Sequence, residues 1–145
     1  MRTTRHSGGF TLIELMIALA VVAILTSIAL PSYTAYVQRS RVPVALDALA
    51  AYATRMEQRY QDSGNYGAGT TCGSSLPTAT NFSVSCTLTD GATSSAQVFT
   101  ATATGSGPMA GYTYTINQTG NRATTAHPKG ANTTCWTTRG TTCDT

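Results

Sequence analysis

The chain has 145 residues, a formal net charge of +3 at neutral pH and a charged fraction of 10%. This length fits one small domain with an appended segment, and the charged fraction is far below the roughly 25% of ordinary soluble domains. So small a charge excludes the dense basic composition of a general nucleic-acid-binding protein. It favours instead an extracytoplasmic setting or packing against copies of the same chain.

The first nine residues form a short, basic and polar segment that resembles the start of a signal peptide. An ordinary secretory signal is cut after its apolar stretch, but here the small residues Gly8 and Gly9 precede that stretch. Cutting after Gly9 would leave the apolar segment on the mature protein as an anchor. We therefore predict a leader over 1–9, and an uncut signal anchor is the alternative.

An apolar run over 10–30 follows and predicts a membrane-spanning helix, because about 20 apolar residues cross a hydrocarbon core. Its one carboxylate, Glu14, is costly in such a span and so needs a partner or a function. The alternative is an acid that reaches back to the lipid headgroups from the start of the helix. The two arginines that precede the run favour an N-terminus that stays in the cytoplasm.

The segment 31–62 carries the pattern of an amphipathic helix that continues into a globular domain. Pro31 ends the apolar run and Pro43 is predicted to kink the helix, which should stop near Asp62. Static kinks and local melting at the two prolines are both compatible with the sequence. The predicted buried face has the three-four spacing of one helical side and comprises Val42, Leu46, Leu49, Tyr52, Met56 and Tyr60.

Residues 63–145 change to a period of two and predict an antiparallel sheet of about four strands. Residues 64–80 have turn and loop composition, and residues 118–121 form a hairpin-type connection. The buried face of the sheet should cover the apolar face of the helix, which makes the fold α+β. The chain beyond His127 should be a loop anchored by Trp136. The predicted strands are 82–88, 97–104, 112–117 and 122–125.

The four cysteines, Cys72, Cys86, Cys135 and Cys143, all follow the apolar segment. An even number in a small domain with a translocation signal indicates disulfides. Of the three possible pairings, Cys72–Cys86 with Cys135–Cys143 is the simplest. Zinc binding with His127 as a further ligand is the alternative, but no Cys-x-x-Cys spacing is present. We therefore expect no metal and no cofactor.

Three stretches carry a likeness to a known family: Gly9-Phe10-Thr11-Leu12-Ile13-Glu14, Tyr112-Thr113-Tyr114-Thr115-Ile116-Asn117-Gln118-Thr119-Gly120, and the tail from Cys135-Trp136 to Cys143. The first resembles the prepilin motif of type IV pilins and their relatives. The other two are similar to PilE-like minor pilins of Gram-negative bacteria. The resemblance covers the whole chain and implies the type IV pilin fold, a long N-terminal helix packed on an antiparallel sheet with a C-terminal disulfide loop.

The resemblance implies a structural subunit of a type IV pilus. A prepilin peptidase would cut between Gly9 and Phe10, and the same enzyme would methylate the new amine of Phe10. Subunits would wait in the inner membrane, with a cytoplasmic N-terminus and a periplasmic head, until the assembly machinery draws them into an extracellular filament. There Glu14 would serve assembly by neutralising the amine of Phe10 in its own or a neighbouring subunit. Such filaments serve adhesion, motility or DNA uptake.

Two other functions fit parts of the sequence. A DNA-binding competence pilin at the pilus tip would use Arg122, Lys129 and Arg139 near Trp136, although phosphate binding usually needs a denser basic patch. A pseudopilin of a type II secretion system would share the N-terminal motif, but such relatives typically lack a C-terminal cysteine loop. No pattern of catalytic residues surrounds His127, so we expect no enzyme.

Overall fold

The computed structural model describes residues 9–89 and 97–144. The chain divides into two compact units, Met1–Val37 and Gln38–Thr145, which we describe separately. Within the described residues, one helix contributes to both units, and the second unit adds six strands and one short 3-10 helix. In chain order the elements are α1 (Leu12–Ser63), β1 (Gly67–Ala68), β2 (Thr71–Cys72), β3 (Phe82–Thr89), β4 (Val98–Gly105), the 3-10 helix (Gly107–Met109), β5 (Thr113–Asn117) and β6 (Arg122–Ala126).

The first unit consists of the N-terminal part of α1, whose side chains are exposed throughout residues 9–34. This part of α1 is long and apolar enough to cross a membrane, with a mean hydropathy of 2.5 over its best 18-residue window. Its hydroxyl groups bond back to the helix: Thr26 Oγ1 lies 2.9 Å from the carbonyl oxygen of Val22, and Ser27 Oγ lies 2.7 Å from that of Ile24. Polar groups satisfied within the helix suit an environment without water.

The helix α1 is continuous through Pro31 and Pro43. Each proline removes one backbone donor, but the turns before and after it keep their helical bonding, so neither residue ends the helix. The predicted end near Asp62 agrees with the structure, in which α1 ends at Ser63. Gly64 follows with φ of 70° and donates its N–H to the carbonyl oxygen of Tyr60 at 2.8 Å, which is the usual left-handed glycine cap.

The four long strands form one antiparallel sheet in the order β3-β4-β5-β6. Cys86 pairs with Ala101, and Ala101 pairs with Ile116 on the next strand. The predicted strands lie within two residues of the observed ones, so the predicted α+β class is confirmed. Only turns and loops were predicted for the segment 64–80. The structure has in addition a small antiparallel hairpin there, in which β1 and β2 contribute two residues each.

The core of the second unit lies between one face of α1 and the inner face of the sheet. The helix contributes the predicted face, apart from Tyr60, which is half-buried. On the sheet the period of two places every second side chain of β4 and β5 inside. The buried apolar residues of the helix and of these two strands are Val42, Ala45, Leu46, Leu49, Tyr52, Met56, Phe99, Ala101, Ala103, Tyr114 and Ile116.

The outer face of the same sheet carries hydroxyl groups and no charge. Ser85, Thr102 and Thr115 stand side by side on β3, β4 and β5, and Ser83, Thr104 and Thr113 form the next row. Ser and Thr side chains are polar and uncharged, so they suit the positions of a strand that face away from the core without adding charge. This arrangement accounts for much of the low charged fraction of the chain.

Each edge of the sheet is covered by a disulfide-bonded segment. Cys72 is bonded to Cys86, which ties β2 to the edge strand β3. At the other edge, Thr124 of β6 forms an isolated bridge with Asn132, and the loop closed by Cys135 and Cys143 follows. This is the local pairing considered in the sequence analysis. A disulfide typically stabilises a small domain by about 2–4 kcal/mol.

Candidate functional sites

The predicted cleavage site, Gly9–Phe10, lies in non-helical backbone immediately before α1. Phe10 is 85% exposed, and a Cβ atom placed on Gly9 would meet no atom within 4 Å. The peptide bond between these two residues is therefore exposed within the first unit. An accessible, non-helical bond is the form that a peptidase can bind in its active site.

Glu14 occupies the third position of α1 and takes part in a capping arrangement. Its backbone N–H donates to Thr11 Oγ1 at 3.3 Å, so Thr11 caps the helix. A Thr followed three residues later by a Glu is a capping box pattern, and a carboxylate in the first turn is favoured by the helix dipole. This role of Thr11 was not predicted, although the Thr-x-x-Glu spacing is present in the sequence.

Within the part of the chain that the structure describes, the side chain of Glu14 forms no ion pair. The ion pair observed there joins Arg139 and Asp144. Glu14 is also exposed. Apolar side chains surround it on every side of α1, and the large exposed ones between residues 12 and 30 are Leu12, Ile13, Leu15, Met16, Ile17, Leu19, Val21, Val22, Ile24, Leu25, Ile28 and Leu30. So large an apolar surface must be covered by lipid or by other chains.

The C-terminal disulfide loop, residues 135–143, is fixed by several hydrogen bonds to its neighbours. Asp144 accepts hydrogen bonds from the backbone N–H and the hydroxyl of Thr138, both at 2.7 Å. Tyr114 donates its hydroxyl to the carbonyl oxygen of Thr137 at 3.1 Å. The indole of Trp136 donates to the carbonyl oxygen of Thr115 at 2.8 Å. The loop is therefore part of the folded second unit, Gln38–Thr145, which forms the head of the protein.

The structure brings together two of the three basic residues considered for DNA binding. Lys129 lies against the loop, because a Cβ atom on Gly140 would stand 3.1 Å from Lys129 Cβ. The neighbouring Arg139 has a side chain that is 73% exposed, with its Nε 3.9 Å from Asp144. Arg122 begins β6, whereas Lys129 follows the end of that strand. Arg122 packs on Trp136 of the same disulfide loop, and a single patch containing all three basic residues stays a prediction.

Trp136 does not offer a surface on which a nucleic-acid base could stack. Only 3% of its surface is exposed, and the guanidinium of Arg122 lies 4.6 Å from the centre of its ring. Two shallow clefts of about 270 and 220 Å³ lie beside Arg122, and both are also lined by Ala50 of α1. Within the described residues no group of three or more potential metal ligands occurs.

Several buried phenols in the head have a raised pKa. Burial, followed by hydrogen bonding to Glu57, raises the pKa of Tyr66 to about 12; its hydroxyl lies 2.9 Å from Glu57 Oε1. Burial also raises the pKa of Tyr52, Tyr112 and Tyr114. These tyrosines are structural, since each belongs to the core.

An apolar N-terminal helix and a four-stranded antiparallel sheet with a C-terminal disulfide loop are the features of a type IV pilin. Residues 4–30 match the family described as "Prokaryotic N-terminal methylation motif". Residues 31–139 match the family described as "Type IV minor pilin ComP, DNA uptake sequence receptor". This second match covers more than half of the chain. The chain therefore belongs to the type IV minor pilin ComP family.

Similar curated proteins each match between about a third and two fifths of the chain. Fimbrial protein EcpC of Eikenella corrodens is 45% identical over 56 residues, which cover 39% of this chain and 37% of that protein. Fimbrial protein Q of Moraxella bovis is 47% identical over 49 residues, which cover 34% and 31%. Type IV major pilin protein PilE1 of Neisseria gonorrhoeae is 40% identical over 58 residues, which cover 40% and 35%. The chain thus spans about a third of the length of these relatives.

One solved structure is similar to the fold. The non-core minor pilin PilV of Neisseria meningitidis matches with a TM-score of 0.49 and 22% sequence identity. The match covers 65% of this chain and 92% of that one.

Proposed function

We propose that this pilin is a minor structural subunit of a type IV pilus, cleaved after Gly9 and methylated on the new amine of Phe10. The apolar surface of the first unit carries the proposal, because every side chain over residues 9–34 is exposed and must be covered by lipid or by other subunits. The accessible Gly9–Phe10 bond supports processing that leaves this helix on the mature chain. The filament would contain other pilin subunits, with their helices bundled in its centre.

Before assembly the subunit is held in the inner membrane by residues 10–30, with its N-terminus in the cytoplasm and its head in the periplasm. The two disulfides of the head support this orientation, because such bonds form outside the cytoplasm. The partners at this stage are the prepilin peptidase, which also methylates, and the inner-membrane assembly machinery. Nothing in this role requires catalysis by the pilin itself.

In the filament, Glu14 pairs with the methylated amine of Phe10 on its own or a neighbouring subunit. An ammonium group and a carboxylate in an apolar medium each cost several kcal/mol if left alone. The exposed position of Glu14 on the apolar part of α1 supports this pairing. A subunit in the wrong register would leave both charges unpaired, so the pair would set the register of assembly.

Mass spectrometry of the mature chain tests the processing. We expect the first residue to be a methylated Phe10. An intact leader, or an unmodified or different first residue, would contradict the proposal. A Gly9→Val variant should remain full-length in the membrane, whereas the Thr34→Val variant, altered at an exposed position after the apolar run, should be processed normally.

We propose as a second function that the head binds DNA during uptake. The match of residues 31–139 to a family described as a DNA uptake sequence receptor favours this function over adhesion or motility alone. Lys129 and Arg139 support it, because they lie beside the C-terminal disulfide loop and Arg139 is largely exposed. Two adjacent cations can contact successive phosphates of a duplex.

Electrophoretic mobility shift of duplex DNA by the detergent-solubilised full chain tests this function. The Lys129→Gln/Arg139→Gln variant should bind more than tenfold more weakly, and the slope of log affinity against log salt should fall by about two. Arg55→Gln removes one charge from an exposed position on α1 and is the control, so it should bind like the unaltered chain. Equal affinity of the double variant and the unaltered chain would contradict the proposal.

A further inference from the structure

His127 is fixed in one tautomer by the turn that follows β6. Its Nδ1 accepts a hydrogen bond from the backbone N–H of Lys129 at 3.0 Å, and Gly130 donates its N–H to the carbonyl oxygen of His127 at 3.0 Å. A neutral imidazole that accepts at Nδ1 carries its proton on Nε2. The turn over residues 127–130 therefore depends on the neutral ring.

The rest of the ring is enclosed by other elements. It packs edge-to-face on Tyr112, with ring centres 4.9 Å apart. Nε2 is shielded from solvent and has no well-aligned hydrogen-bond partner among the described residues, although the backbone of Thr138 lies beside it. The ring thus lies between the sheet and the C-terminal disulfide loop.

The charges that face the ring from its neighbouring elements are Arg39 on α1, Lys129 on the turn and Asp144 on the tail. Burial is the largest influence and lowers the pKa of His127 from 6.5; the backbone of Thr138 raises it, Lys129 lowers it, Asp144 raises it and Arg39 lowers it. Asp144 already accepts two hydrogen bonds from Thr138 and lies beside Arg139.

A proton added to Nδ1 turns this acceptor into a donor that points at the backbone N–H of Lys129, so that two donors face each other. The hydrogen bond that holds the turn is then lost, and a positive charge is placed in a half-buried position. The turn and the disulfide loop are in contact, because a Cβ on Gly130 would stand 2.8 Å from Thr141 Cγ2 and one on Gly140 would stand 3.1 Å from Lys129 Cβ. A change in the turn is therefore transmitted to residues 140–141.

We propose that His127 is a pH switch that holds the 127–130 turn against the C-terminal disulfide loop when neutral and releases both when protonated. The neutral form stabilises the closed turn fully above pH 6.5, and this contribution is lost as the pH falls from there through the pKa of the closed turn. The proposal depends on neither filament assembly nor DNA binding.

Amide hydrogen exchange of the full chain in detergent, with its disulfides intact, tests the switch. After correction for intrinsic rates, exchange in residues 127–130 and 138–141 should be faster at pH 5 than at pH 7.5. The ratio should be about tenfold for each unit that separates the pKa values of His127 in the closed and open turn. Exchange in β4 should not change.

His127→Asn is the matched variant, because the chain already uses asparagine in this geometry. Asn132 Oδ1 accepts the backbone N–H of Thr134 at 2.9 Å, and Asn117 Oδ1 accepts that of Thr119 at 3.1 Å. Asparagine at position 127 should keep the turn without titrating, so the exchange ratio should fall to one. The same ratio in the variant as in the unaltered chain, or a ratio of one in the unaltered chain, would overturn the proposal. NMR titration of the His127 ring in the unaltered chain decides the matter if the variant does not fold: a pKa at or above 6.5 would overturn it.

Discussion

The guanidinium of Arg122 lies 4.6 Å from the centre of the buried Trp136 ring. This contact joins the start of β6 to the C-terminal disulfide loop. The indole also donates to the carbonyl oxygen of Thr115 on β5 at 2.8 Å. Trp136 is therefore a packing residue, and Arg122 covers it from the cleft beside α1. Neither role requires a ligand.

Truncating Trp136 should strongly destabilise the head. Trp136→Ala removes a large side chain that is 3% exposed, and we expect a loss of about 3–5 kcal/mol in the free energy of unfolding. Urea unfolding of the solubilised chain, followed by tyrosine fluorescence, measures it. Val44→Ala, at a position on α1 that is 44% exposed, should change stability by less than about 0.5 kcal/mol. Equal effects of the two variants would contradict the packing role.

Removing the charge of Glu14 should block assembly but not insertion. Glu14→Gln keeps the size and the exposed position of the side chain, yet it cannot neutralise the amine of Phe10. Immunoblots should show normal amounts in the inner membrane and at least tenfold less in sheared pili. Glu57→Gln, a change of the same type on the part of α1 within the head, should still enter pili. Abundant Glu14→Gln subunits in purified filaments would refute the pairing.

Loss of the Asp144 carboxylate should loosen the C-terminal disulfide loop. Asp144→Ala removes two hydrogen bonds of 2.7 Å to Thr138, and bonds to a charged acceptor contribute about 1.5–3 kcal/mol each in favourable settings. We expect faster amide exchange at residues 138–141 and little change in β4. Asp47→Ala, on the exposed side of α1, is the control. An unaltered exchange pattern would show that the disulfide alone fixes the loop.

Tyr66 should make the head sensitive to alkali. Burial and its hydrogen bond to Glu57 raise the pKa of Tyr66 from 10.0 to about 12. The neutral phenol therefore stabilises the fold below pH 10, and this contribution is lost as the pH rises from 10 towards 12, because the unfolded chain releases the proton first. Urea midpoints at pH 8, 10 and 11.5 should fall less steeply for Tyr66→Phe. Parallel curves for the two proteins would contradict the assignment.

The buried face of α1 and the strands could be predicted because burial imposes a period of 3.6 or 2 on the sequence. Val42, Leu49 and Met56 follow the first period, and Tyr112, Tyr114 and Ile116 follow the second. The continuation of the helix beyond Pro31 was predicted from the apolar spacing that follows this residue, and the structure confirms it.

Part of the candidate site consists of contacts between residues that lie far apart in the sequence, and local sequence patterns do not predict such contacts. The prepilin motif is contiguous, so Gly9, Phe10 and Glu14 could be predicted together from the sequence alone. Arg122 begins β6, and Lys129 lies in the turn that follows it. The packing of Arg122 on Trp136 and of Lys129 against Gly140 could not be predicted in this way, because each contact joins segments that are separated along the chain.

The two covered sheet edges have a consequence for where the protein can be produced. In a reducing compartment neither disulfide forms. The segments that cover β3 and β6 are then no longer covalently fixed, and the backbone donors and acceptors of these two edge strands become exposed. Exposed edge strands pair readily with strands of other molecules. Cytosolic overproduction without the membrane helix should therefore give insoluble material, and an oxidising host compartment should give soluble heads.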